Sequence, residues 1–184
     1  MADASRRAVF LDRDGTIVED PGFLHQPGKV RLLAGAGEAI HQLNQTGWLV
    51  ITVSNQSGIA RGLYDAAAYQ AVQRRLVELL AAHDARLDGA YFCPHHPAFT
   101  GPCECRKPGL LLFREAQAAL GLDFTRCCWV GDRLSDVEPA RKLGGRALLV
   151  ETGGGATYVG KARALRIPVV ADLAAAAAEI VHGA

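Results

Sequence analysis

Ala8-Val9-Phe10-Leu11-Asp12-Arg13-Asp14-Gly15-Thr16 decides how the chain is read: a short apolar run is broken at once by two aspartates, a glycine and a threonine. An apolar run without polar alternation marks a strand buried on both faces, as in parallel sheets. Working outward, the same transition recurs. Trp48-Leu49-Val50-Ile51-Thr52-Val53 runs into Ser54-Asn55-Gln56-Ser57-Gly58, and Cys127-Cys128-Trp129-Val130 runs into Gly131-Asp132-Arg133-Leu134-Ser135-Asp136. Ala90-Tyr91-Phe92 and Ala147-Leu148-Leu149-Val150 add two further runs, and Pro168-Val169-Val170 an edge strand. Between the runs, Tyr69, Val72, Leu76 and Leu79 step along one helical face, and Leu110, Phe113, Gln117 and Leu120 along another. Gly47, Gly121 and Gly144-Gly145 stand where helices should stop, and Asp172 suits the N-cap of an alanine-rich final helix. The pattern predicts an α/β fold: a three-layer sandwich whose central sheet is mainly parallel. Between the first two strands there is room for a structured loop (20–34) and one helix, so no large cap domain is expected. One domain over residues 1–184 is the economical reading.

Composition narrows the function. The 184 residues are 49% hydrophobic and 21% charged, with 20 Lys and Arg against 19 Asp and Glu, a net charge of +1. That balance gives no broad positive field for nucleic acid, and the apolar content is too high for disorder. No apolar run approaches the roughly 20 residues that cross a bilayer. The start, Met1-Ala2-Asp3-Ala4-Ser5-Arg6-Arg7, lacks the apolar region of a signal peptide. A cytoplasmic, monomeric enzyme without a membrane or nucleic-acid partner is the expectation.

In open parallel sheets, ligands gather at the carboxyl ends of the strands. Here those ends are polar in sequence after sequence, and Cys105-Arg106-Lys107-Pro108 adds a fourth polar segment. Asp12, closing a strand, can be held rigidly as a nucleophile. Asp14, two residues on, can turn back and move a proton to the leaving oxygen. Asp132, with Asp136 beside it, offers oxygen ligands to a hard cation such as Mg²⁺. Lys107 supplies compact positive charge, and Ser54 and Asn55 supply hydrogen-bond donors. Carboxylates facing an anionic substrate repel it, so the metal and the lysine are needed to offset them. Phosphoryl transfer through an aspartyl-phosphate follows.

The five cysteines divide in two. Cys93 and Cys103 and Cys105 share residues 93–105 with His95 and His96, and three thiolates with one imidazole suit a tetrahedral, structural Zn²⁺. Spacing leaves open which histidine ligates. Cys127 and Cys128 read as buried thiols on a strand. His25, His41, His83 and His182 read as surface or loop residues, Arg74-Arg75 as a solvated helix face, and Gly153-Gly154-Gly155 as a flexible connection.

The series Asp-x-Asp-Gly-Thr, Ser-Asn, Lys and Gly-Asp-x-x-x-Asp resembles the haloacid dehalogenase superfamily of phosphatases. Phe10 to Ile17, Asn55-Gln56-Ser57-Gly58-Ile59-Ala60-Arg61-Gly62, Cys93-Pro94-His95-His96-Pro97 and Cys103-Glu104-Cys105-Arg106-Lys107-Pro108 are similar to its heptose-bisphosphate phosphatase branch. The resemblance implies a Rossmann-like domain, Mg²⁺-dependent removal of the C7 phosphate from a heptose 1,7-bisphosphate in heptose-nucleotide biosynthesis, and a structural zinc. It implies Asp12 as nucleophile and Asp14 as acid/base. Mg²⁺ would be held by Asp12, the Asp14 backbone carbonyl and Asp132, and zinc by Cys93, His95, Cys103 and Cys105. Ser54 and Lys107 would stabilise the phosphoryl group, and Asp136 would support the metal side from behind. Asp20, Pro21, Gly22, Phe23, Asn55, Gln56, Ser57, Arg106 and Arg133 would bind substrate. The family commonly has Thr at the position of Ser54, and a further His-Pro or similar pair where Gly109 follows Pro108 directly. Histidinol-phosphate phosphatase shares the aspartates and the zinc loop and is the nearest rival. A phospho-accepting receiver domain has no need of an acid at Asp14, and a zinc-based nucleic-acid module is disfavoured by the net charge.

Overall fold

The computed structural model describes residues 6–183. Residues 1–5, on which the signal-peptide reading rests in part, lie outside the described residues, as does Ala184. In chain order the elements are β1 (Ala8–Leu11), α1 (Ala36–Gln45), β2 (Leu49–Asn55), α2 (Ser57–Ala60), α3 (Ala66–Ala81), β3 (Gly89–Cys93) and α4 (Pro97–Thr100). There follow α5 (Leu111–Leu120), β4 (Cys128–Gly131), α6 (Leu134–Leu143), β5 (Arg146–Val150), α7 (Val159–Ala164), β6 (Val169–Val170) and α8 (Leu173–His182).

All six strands pair in parallel in the order β3-β2-β1-β4-β5-β6, with Ala8 opposite Leu49 and Val9 opposite Cys128. The central strands β1, β2 and β4 alternate between two buried faces, because successive side chains point to opposite sides, whereas the edge strands β3 and β6 are partly exposed. Val9 and Leu11 join Val50 and Val130 in a core closed by Ile40 and Leu43 of α1, Val72 and Leu76 of α3, and Ile180 of α8. Ala8 and Phe10 face the other way and join Ile51, Val53 and Trp129 under Phe113 of α5. There Phe10 lies edge-on to Phe113, centroids 5.1 Å apart, and tilts against Trp129 at 4.8 Å. Helices therefore cover both faces, as the apolar runs require.

Helix ends follow the local chemistry. Asp65 and Asp172 accept from the backbone N–H groups of Ala68 and Ala175, while Gly121 and Gly144 end α5 and α6 with φ of 66° and 82°. On the expected face of α5, Phe113 is buried and Leu110 and Leu120 pack against the same core, joined by Leu112 and Ala116, while Gln117 donates from Nε2 to Leu122 O (3.2 Å). A small alanine fits closer to the sheet than the glutamine the periodicity placed there. Cys127 and Cys128 are buried as expected, and burial pushes their thiols up to about 11 and about 12.

The sheet winds outward in both directions from the β1–β4 pair. That reversal opens a crevice at the carboxyl ends of these two strands. Among the described residues, no helix is long and apolar enough to cross a membrane.

Candidate active site

β1 delivers Asp12 to this crevice, and the Asp12 N–H donates to Val130 O (3.0 Å), so the end of β1 is locked to β4. Lys107 enters from the loop before α5. Its Nζ lies 2.8 Å from Asp12 Oδ1 and 2.8 Å from Asp136 Oδ1, and also donates to Val53 O. Asn55 fixes the backbone of Lys107 on both sides: Oδ1 accepts its N–H (2.9 Å) and Nδ2 donates to its carbonyl (3.2 Å). The side chain expected to touch substrate is thus committed to placing the lysine. Asp136 also accepts from the Arg133 N–H (2.9 Å), closing the first turn of α6.

Asp132 is fully buried. Its Oδ2 accepts from the Gly154 N–H (2.7 Å), and its Oδ1 has no hydrogen-bond partner among the described residues. Gly153-Gly154-Gly155 is consequently no flexible connection, and the sequence expectation is corrected here. Gly15 and Gly153 adopt φ of 85° and 57°, and a Cβ on either would stand 2.6 or 2.5 Å from Asp132 Oδ2. Thr152 Oγ1 donates to Gly15 O (2.7 Å), stitching the two glycine turns together behind the carboxylate. Glycine is needed because two backbones meet at a buried charge.

Asp12, Asp132 and Asp136 bring oxygens within 4.8 Å of one another, against one ammonium. Burial, opposed by Lys107 and assisted by Asp136 and Asp132, holds the Asp12 carboxyl well above the usual range. Burial and Asp136 push Asp132 up to about 6. Burial pulls Lys107 down, but Asp12 and Asp136 outweigh it and keep the ammonium charged. An orphaned carboxylate oxygen amid surplus negative charge, all from hard oxygen donors, fits a divalent cation such as Mg²⁺.

Asp14 sits beside this group at the cavity wall. Arg13, buried beneath with its guanidinium over Tyr69 (5.2 Å), grips both Asp14 oxygens at 2.9 and 3.0 Å. Gln56 Nε2 donates to Asp14 Oδ2 (3.0 Å) and to Ser54 Oγ (3.2 Å). Ser54 is only 2% exposed and lies under Gln56, off the cavity surface.

The cavity measures about 560 Å³ and is lined by Asp12, Asp14, Asn55, Gln56, Ser57, Lys107 and Asp136 at its base. Asp20, Gly22, Phe23, Arg106 and Arg133 form its rim as the sequence suggested, whereas Pro21 lies outside it. Arg133 reaches Asp20 at 3.7 Å. Sequence reasoning missed four lining residues: Arg61, Tyr64, His96 and Ser135. The Arg61 guanidinium lies between Phe23 (5.6 Å) and Phe99 (4.8 Å), and Tyr64 stacks on His25 (5.4 Å). Phe23, at φ 52°, is a bulky residue in the left-handed region, so its position depends on these neighbours. His25 is therefore part of the rim's support and not a mere loop residue.

A second cluster stands beside the rim. The Cys93, Cys103 and Cys105 sulfurs are 3.0, 3.5 and 3.7 Å apart, and His95 Nδ1 lies 3.2 Å from Cys105 Sγ. A tetrahedral zinc with Zn–S of about 2.3 Å sets its sulfurs ~3.8 Å apart, so the donor set fits zinc after sub-ångström opening of the tightest pair. His96 is turned elsewhere: its Nδ1 accepts from the Ala98 N–H (3.2 Å), capping α4. Cys93 and Cys105 are themselves members of the Phe10–Trp129 core, so this loop is anchored in the sheet's packing and not separate from it. Arg106 Nη1 donates to His95 O (3.3 Å), tying the rim arginine to the loop.

A half-buried aspartate directly after β1, a second aspartate two residues on, a lysine and an acidic β4 terminus on a β3-β2-β1-β4 sheet define a hydrolase of the haloacid dehalogenase type. The HAD-hydrolase-like family model matches residues 104–176. Two relatives named D-glycero-beta-D-manno-heptose-1,7-bisphosphate 7-phosphatase make the comparison finer. The Yersinia pestis protein is 39% identical over 165 residues, covering 85% of this chain and 87% of its own. That of Escherichia coli K12 is 38% identical over 152 residues, covering 79% and 80%. The crystal structure of D,D-heptose 1,7-bisphosphate phosphatase from B. bronchiseptica, complexed with magnesium and phosphate, aligns with a TM-score of 0.88 at 33% identity, covering 97% of this chain and 99% of that one. The chain belongs to the family of the heptose-1,7-bisphosphate 7-phosphatases.

Proposed function

We propose that this protein is a Mg²⁺-dependent phosphatase that removes the C7 phosphate of D-glycero-D-manno-heptose 1,7-bisphosphate through an aspartyl-phosphate on Asp12. The observation that carries the reading is the junction of β1 and β4: Asp12 paired to Lys107 at 2.8 Å, next to a buried Asp132 with a free oxygen, at the base of an open cavity. Asp12, Asp132 and the Asp14 backbone carbonyl would hold Mg²⁺. When bound there, the cation supplies charge that offsets the carboxylates and polarises the phosphate oxygens.

The chain's own residues then divide the work. Asp12 attacks phosphorus in line with the ester oxygen, and the P–O bond breaks with its electron pair on that oxygen. Asp14 gives that oxygen a proton and afterwards takes one from the water that attacks the aspartyl-phosphate, as the P–O bond to Asp12 breaks, the electron pair returns to its carboxylate and inorganic phosphate leaves. Lys107 stays cationic and stabilises the charge on the transferring group. Ser54 acts from beneath by holding Gln56.

A primary phosphate on an exocyclic carbon reaches the crevice floor most readily, which leaves the second phosphate at the rim. Arg106 presents a planar fork of donors to it there, with Arg61 and Arg133 nearby. The four donors Cys93, His95, Cys103 and Cys105 would bind structural zinc and so fix Arg106. The relatives' names support the substrate; the cavity's cationic rim supports a second anionic group.

The test is turnover of heptose 1,7-bisphosphate, heptose 7-phosphate, heptose 1-phosphate and histidinol phosphate with Mg²⁺, with products identified by phosphorus NMR. The reading expects heptose 1-phosphate from the bisphosphate at the highest kcat/KM of the panel. Release of the C1 phosphate, or preference for histidinol phosphate, overturns the assignment.

A further inference from the structure

Gln56 is 2% exposed, and its amide is bonded in three directions. Nε2 donates to Asp14 Oδ2 and to Ser54 Oγ, while Oε1 accepts from the Tyr64 hydroxyl at 2.6 Å. The sense of this chain is fixed. Asp14 Oδ2 accepts from both Gln56 Nε2 and Arg13 Nη2, so the amide NH₂ faces Asp14, the carbonyl faces Tyr64, and the phenol donates. Burial pushes the phenol up to about 12, so it keeps its proton.

Tyr64 is itself held firmly. Its ring lies on Gly58, where a Cβ would collide with it, and stacks against His25 with planes 8° apart. Gly58 and His25 thus fix the ring, the ring fixes the hydroxyl, and the hydroxyl fixes the amide. Arg13 grips Asp14 from the other side.

We propose that Tyr64 and Gln56 are positioning residues that aim the Asp14 carboxyl at the leaving oxygen, the phenol acting by preventing the Gln56 amide from flipping. The proposal rests on the reading of Asp14 as the acid/base. Without the hydroxyl, the amide can turn its carbonyl toward Asp14. Asp14 Oδ2 then loses the N–H donor that holds it, and the carboxyl swings away. When the ester P–O bond breaks, its electron pair remains on the ester oxygen, phosphorus becomes bonded to Asp12, and the proton passes from Asp14 to that oxygen. A misaimed Asp14 costs most when that oxygen is strongly basic and least when it departs as a stable anion.

The test is kcat/KM, with Mg²⁺, for aryl phosphates of similar size and graded leaving-group acidity. The chains compared are the native one, Tyr64→Phe, Gln56→Met and Asp14→Asn, so that a folding defect in one variant does not decide the matter. Tyr64→Phe and Gln56→Met are expected to steepen the dependence on leaving-group pKa in the same sense as Asp14→Asn. The basic end should lose about tenfold more than the acidic end. Lines lowered in parallel overturn the proposal, because a packing defect spares no member of the series. Aryl phosphate lines left unchanged by Tyr64→Phe and Gln56→Met overturn it as well. An unsteepened Asp14→Asn line overturns instead the acid/base reading beneath it.

Discussion

Asp12→Asn preserves the shape of the proposed nucleophile and removes its chemistry. It is expected to lower kcat by on the order of 10⁴ or more. Because burial and neighbouring carboxylates already disfavour the Asp12 charge, the neutral amide should leave the Tm of metal-free protein unchanged or higher, measured by calorimetry. Lys107 keeps Asp136 as its partner. The opposite case is Gly153→Ala. Its φ of 57° strains alanine, and the added Cβ meets Asp132 Oδ2 at 2.5 Å and Gly15 Cα at 2.6 Å. A loss of about 1–3 kcal/mol in chemical denaturation is expected, with a fall in Mg²⁺ affinity, because the displaced group is a carboxylate facing the cation site. Asp12, Asp14, Lys107 and Asp132 are legible in the sequence because each directly follows an apolar run or a family motif. Gly153 is not. Its role arises from the meeting of backbones far apart in the chain, and no local spacing announces that contact.

At the scale of elements, the strands read clearly and the connections less so. Every apolar run became a strand within two residues; in β1, β2 and β4 burial on both faces leaves no polar side for the pattern to blur. The α5 face came out wider than the periodicity showed, since Ala116 packs close to the sheet beside Phe113 without standing out as an apolar position. Gly109, the departure from the family pattern, lets the chain fold back onto the cysteine loop: its N–H donates to Arg106 O (2.7 Å), and a Cβ would stand 2.7 Å from the same oxygen. The connection after β3 carries the donor cluster, and it is expected to hold one zinc per chain. Cys103→Ser should abolish the zinc in elemental analysis. Because Cys93 and Cys105 belong to the Phe10–Trp129 core, the loss should also lower Tm and should not merely loosen a surface loop. Retained zinc in that variant contradicts the four-donor assignment.

Across the whole molecule, the near-zero net charge hides a local excess of negative charge at the β1–β4 switch point. That concentration costs the fold stability and prepares it for a cation. Asp132 is raised to about 6, so its carboxyl favours the folded state at acid pH, and this contribution is lost as pH rises through that value. Metal-free protein should therefore gain little from Mg²⁺ near about pH 5 and much more near about pH 7.5, seen as a larger Mg²⁺-induced rise in Tm at the higher pH. An equal rise at both values contradicts the assignment of Asp132 as a ligand. The central claim, a covalent phosphoryl group on Asp12, is tested most directly in the Asp14→Asn chain with an aryl phosphate whose phenolate leaves without a proton. Removing the base that activates water should trap the intermediate. Rapid quenching and borohydride reduction, followed by peptide mass spectrometry, should show a burst of one phenol per chain and conversion of Asp12 to homoserine. A burst with position 12 unmodified, or homoserine at another carboxylate, contradicts the account.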